Sequence, residues 1–114
     1  MRSVVAIAVV ATCALTSGAA IAAQRQALCK FTVEGKTYLN GPCNFEADPD
    51  GSFRIWDNVH TVYVNVDGNT AEASWNKNPK SFHADSPLGT LTRKGACWEN
   101  ATAQICARKL QGHK

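Results

Sequence analysis

The stretch HTVYVNVDGNTAEASW, residues 60–75, decides the fold class. Val62, Val64 and Val66 fall on one side of an extended chain, and Thr61, Tyr63 and Asn65 on the other. That two-residue period is the mark of a half-buried strand. Asp67-Gly68-Asn69 supplies a turn, and TAEASW returns as the partner strand.

The same pattern extends outward in both directions. CKFTVEG alternates Phe31 and Val33 against Lys30, Thr32 and Glu34, turns at Gly35 and returns as KTYL. Asn40-Gly41-Pro42 reads as the end of that hairpin, EADPDGS as a second turn, and SFRIW as a strand. Residues 76–87, NKNPKSFHADSP, form a long loop. LGTLTR, CWEN and ATAQICARK follow, the last readable as a strand or a short helix. Residues 24–28 read as a loose leader. About seven short strands with closely spaced turn signals predict an all-β fold, a small antiparallel sandwich or barrel in one domain.

The front of the chain is different. MRSVVAIAVVATCALTSGAAIAAQ has one early arginine, an apolar run from Val4 to about Leu15 and small residues around Ala20, Ala22 and Ala23. This is the composition of a secretory signal peptide over residues 1–23, followed by a single domain over 24–114. The apolar run is short for a membrane span. A lipidated Cys13 is the alternative, although Thr12 is a poor residue before such a cysteine. Cleavage would remove Arg2 and Cys13 and leave eleven basic against nine acidic residues. No Lys/Arg run exceeds two, so the clustered basic stripe expected of a nucleic-acid binder is missing. The expected location is periplasmic or secreted, with no membrane span after cleavage.

Four cysteines then remain: Cys29, Cys43, Cys97 and Cys106. An even count in a short exported chain reads as a disulfide framework. Structural zinc favours close ligand pairs and thiol–disulfide catalysis favours C-x-x-C, and neither spacing occurs. Three pairings are open. Cys29–Cys43 with Cys97–Cys106 is preferred because each pair can close a hairpin, and a crossed pairing tying the two ends together is the alternative. Trp98 is expected to pack over the second bridge.

Three groups of residues could carry chemistry. Glu46, Asp48 and Asp50 alternate at the start of EADPDGSFRIWD and Asp57 falls at its twelfth place, an order similar to a calcium loop. The flanking helices are missing, however, and Asp-Pro-Asp-Gly is ordinary turn composition. His83 lies near Ser81 and Asp85, without a nucleophile elbow. Both groups read more simply as turn and loop residues, so no metal, cofactor or catalytic residue is assigned. The third group is aromatic. Trp56, Tyr63 and Trp75, with Phe82 in the loop and Lys77, Lys80 and Arg54 nearby, would make a protein-binding hot spot or a sugar-stacking face. A second core layer is the plainer alternative for these rings.

Trp75-Asn76, His83-Ala84, LG-x-LTR-x-GACW-x-N (Leu88 to Asn100) and Ile105-Cys106-Ala107, with Gly41, Cys43 and Phe45 upstream, together resemble short periplasmic proteins of α-proteobacteria. The resemblance implies export and fold, and no activity. In size and class the chain is also similar to bacterial lysozyme inhibitors, whose S-G-x-x-Y loop signature it lacks. The leading expectation is a non-enzymatic periplasmic binding module. Its loop would present Trp75, Lys77, Lys80, Phe82 and His83 to a protein, such as a cell-wall hydrolase that it restrains. A glycan or cell-wall binding module using Trp56, Tyr63 and Trp75 is the second expectation, and a small hydrolase using His83 and Asp85 the third.

Overall fold

The computed structural model describes residues 23–110. The leader expected over residues 1–23 lies, apart from Ala23, outside them. Eight strands run in chain order: β1 (Ala23–Val33), β2 (Lys36–Ala47), β3 (Phe53–Trp56), β4 (Thr61–Asp67), β5 (Thr70–Trp75), β6 (Ser86–Lys94), β7 (Cys97–Glu99) and β8 (Ala103–Lys109). Each pairs antiparallel with the next, and β8 pairs back onto β1, closing an up-and-down barrel. Closure removes the unpaired strand edges that an open sheet must protect.

The turns follow from their residues. Glu34 and Gly35 link β1 to β2 with φ of 52° and 81°, the pair of positive angles that a type I′ hairpin needs. Gly68 opens the β4–β5 turn at φ 66°, where a side chain on an L-residue is disfavoured. In the longer loops, Asp57 Oδ1 accepts the N–H groups of Val59 and His60. Asn100 Oδ1 likewise accepts those of Thr102 and Ala103. Short polar side chains thus replace the backbone partners that a loop lacks.

The alternation read from residues 60–75 determines the inside. Val62 and Val64 pair with Trp75 and Ala73 across β4 and β5. These four residues join Phe31, Leu39, Ile55, Leu91, Trp98 and Ile105 in one buried cluster. The opposite rows carry Lys30, Arg54, Asn65, Glu72 and Thr90. An apolar interior with a polar exterior is the reverse of a lipid-facing barrel.

Both disulfides take the preferred pairing, Cys29–Cys43 within the β1–β2 hairpin and Cys97–Cys106 within β7–β8. The first lies inside the barrel with the core. Cys97 and Cys106 face each other directly across their strands. Trp98 and Ile105, one residue on, belong to the core, so the pleat puts Trp98 on the opposite face from the bridge it was expected to cover.

Other expectations are corrected. The C-terminal segment is a strand, and there are eight strands rather than about seven. Residues 24–28 lie within β1 rather than in a loose leader, and β2 runs on through Gly41-Pro42 to Ala47. β3 accompanies β2 only from Asn44 to Ala47. Pro42 therefore sits beside β1 alone, where its missing N–H leaves no second neighbour unsatisfied.

Candidate functional site

One end of the barrel gathers the β1–β2 turn, the β3–β4 loop, the ten-residue β5–β6 loop and the β7–β8 loop. An aromatic cluster lies beneath them. Trp75 meets Phe31 and Tyr38 edge-on, with ring centroids 5.0 and 4.7 Å apart, and His60 lies 5.5 Å from Trp75 and 5.3 Å from Tyr38. These offset geometries suit the quadrupoles of the rings. Trp75 is only 2% exposed. It supports the loop and is not presented with it, contrary to the expectation for this residue.

Asn76, the next residue, anchors the loop. It is buried to 6% exposure. Its Oδ1 accepts the N–H of Thr61 at 2.7 Å, and its Nδ2 donates to the carbonyls of Val59 and Ser81 at 3.0 and 3.4 Å. One amide thus ties the start and the middle of the β5–β6 excursion to the β3–β4 loop. Within it, Asn78 Oδ1 accepts from Lys80 N–H, Ser81 N–H donates to the Asn78 carbonyl, and Ser81 Oγ both accepts from His83 N–H and donates to the His83 carbonyl. Phe82, between Ser81 and His83, is 100% exposed, and Lys77, Lys80 and His83 are exposed around it. The sequence located the tip of this loop but missed its anchor. The signal was an asparagine directly after a strand of alternating polar and apolar residues.

The serine–histidine proximity is a backbone arrangement. Ser81 Oγ engages the His83 main chain rather than its imidazole. The alternating carboxylates are also dispersed: Glu46 pairs with Arg54, Asp50 accepts from Ser52 N–H and Asp57 caps its own loop. Among the described residues no three His, Cys, Asp or Glu side chains gather as metal ligands.

Trp56 and Tyr63 do share an outer face. Arg54 lies between them, its guanidinium 4.1 Å from the Trp56 ring and 5.7 Å from that of Tyr63. Its Nη1 donates to Tyr63 Oη at 3.4 Å, and Nη2 pairs with Glu46 Oε1. Burial works against the Arg54 charge, but Tyr63 and Glu46 outweigh it and raise its pKa. One face of Trp56 is therefore covered by Arg54, leaving Tyr63, 40% exposed, as the open ring. A three-ring platform of Trp56, Tyr63 and Trp75 does not form.

No protein-family model, curated protein or solved structure matches the chain. The site must be read from its own geometry.

Proposed function

We propose that the protein is a non-enzymatic, exported binding module that inserts the tip of its 76–85 loop into a cleft of a protein partner. The observation that carries this reading is the contrast at the loop. Phe82 is fully exposed, yet the segment holding it is fastened through buried Asn76 and its own internal hydrogen bonds. Leaving a phenylalanine in water forgoes about 2 kcal/mol of burial. A preorganised loop loses less entropy on docking, so that burial can be recovered in a complex.

Lys77, Lys80 and His83 give the tip a basic border. Glycan-cleaving enzymes hold paired carboxylates in open clefts, and such a border complements them. A periplasmic cell-wall hydrolase, restrained by the loop, is accordingly the favoured partner class. The glycan-platform reading has lost Trp75 to the core and one face of Trp56 to Arg54.

The test is inhibition of peptidoglycan clearing by muramidases and amidases in the presence of the oxidised domain. The expected result is stoichiometric slowing of one enzyme, weakened at least about thirtyfold by Phe82→Ala, as for a hot-spot aromatic. Equal inhibition by the variant, or no enzyme slowed, contradicts the reading.

A further inference from the structure

The opposite end of the barrel carries a second arrangement, built from different strands. The β2–β3, β4–β5 and β6–β7 turns meet here with the start of β1 and the end of β8. Phe45 and Phe53 stack at 5.5 Å with an interplanar angle of 20°. With Trp98 and Ala107 they line a recess of about 170 Å³ that Arg93 borders. Neither phenylalanine is fully covered.

Cations flank this floor on one side. The Arg25 guanidinium lies 4.7 Å from the Phe45 ring centroid, and that of Arg93 lies 5.6 Å from Trp98. Arg93 Nε donates to the Gly95 carbonyl at 3.1 Å, which holds the group in place and leaves its terminal amino groups free to donate elsewhere. Lys109 pairs with Ala27 across β8 and β1, on the same row as Ile105 and Ala107. The three cations thus come from β6, β8 and β1 along one arc of the rim. Among the described residues the only ion pair is Arg54–Glu46, on the outer wall. Residues 1–22 and 111–114 contain no Asp or Glu. The acids at this end are Asp48 and Asp50 on the β2–β3 connection and Asp67 at the end of β4, and Asp50 already accepts from Ser52 N–H.

From this geometry we infer a ligand site for a small amphiphilic carboxylate, with an aromatic ring or short acyl chain lying on Phe45, Phe53 and Trp98 and its carboxylate held by Arg93 and Arg25. The floor supplies apolar burial, and the guanidiniums supply charge-assisted hydrogen bonds with the fork geometry that a carboxylate matches. The site is independent of the 76–85 loop and stands or falls without it.

The experiment titrates the oxidised protein with octanoate, octan-1-ol and inorganic phosphate. Calorimetry and the Trp98 indole N–H resonance provide the readouts. The expected result is saturable octanoate binding that shifts Trp98, at least about tenfold weaker binding of octanol and of phosphate, and about tenfold weakening by Arg93→Gln or Arg25→Gln. Arg54→Gln and Phe82→Ala should bind octanoate as the parent does. Unchanged melting and amide spectra of the arginine variants separate lost binding from lost fold. Equal affinity for octanol, indifference to both arginine variants, or no octanoate binding at millimolar concentration would overturn the inference. Sedimentation with anionic vesicles without any response to octanoate would also overturn it, assigning the cations to a membrane surface.

Discussion

The two ends of the barrel use the same residue types in opposite ways. At the loop end, Trp75, Tyr38, Phe31 and His60 interlock edge to face, and the chain above them projects a single ring, Phe82, fully into water. At the far end, Phe45 and Phe53 stack in parallel and stay half-buried, and the Arg25 guanidinium lies over Phe45. One end interlocks its rings beneath the loops and displays an aromatic above them; the other leaves two stacked rings partly open beside charges. The difference follows from connection length. The β5–β6 loop has ten residues, whereas the far-end connections β2–β3, β4–β5 and β6–β7 have five, two and two. A two-residue turn cannot cover a barrel mouth.

Substitutions should separate these roles, and the largest effect is expected at the loop end. Trp75→Ala should cost about 3–5 kcal/mol, as large-to-small changes in a filled core do, and chemical denaturation would show it. If Trp75 were a presented contact, the change would be nearly neutral. Loss of Cys29–Cys43 through paired alanines should cost about 3 kcal/mol for its 15-residue loop, slightly more than loss of the shorter Cys97–Cys106 loop. Cys29–Cys43 also lies in the core, which widens the gap. A larger loss at Cys97–Cys106 would break the ranking.

Smaller effects sharpen the comparison. Asn76→Ala leaves the Thr61 N–H and the Val59 and Ser81 carbonyls without that partner. It should cost about 2 kcal/mol and speed amide exchange through residues 76–85, leaving the far end unchanged. Glu46→Gln, which breaks a partly exposed ion pair, should cost about 0.5 kcal/mol. Phe82→Ala should alter stability by no more than that, because its ring touches only water.

Much of this was legible in the sequence. The Val62–Val66 alternation and the glycines at 35, 68 and 95 located the hairpins, since a two-residue period and positive φ are local demands. The hairpin pairing of the cysteines followed from the same positions. The extent of β1 and β2 was hidden, because Pro42 reads as a stop and is tolerated only where β3 has ended, a fact of barrel closure. Trp75 could have been placed: it continues the row of Ala71 and Ala73, opposite Val62. The loop tip was found from composition. The far mouth was not, because Arg25, Phe45, Phe53, Arg93 and Trp98 lie on five different strands, and only closure brings them together.

The central claim is that the loop tip, and not the aromatic outer wall, meets the partner. The most direct measurement places a photo-crosslinking phenylalanine analogue at position 82 or, separately, at position 63, and irradiates each protein with periplasmic extract. One protein adduct is expected from position 82, competed away by the unlabelled parent but not by Phe82→Ala, and none from position 63. An adduct from position 63 alone, or one from 82 that Phe82→Ala competes as well as the parent does, would contradict it.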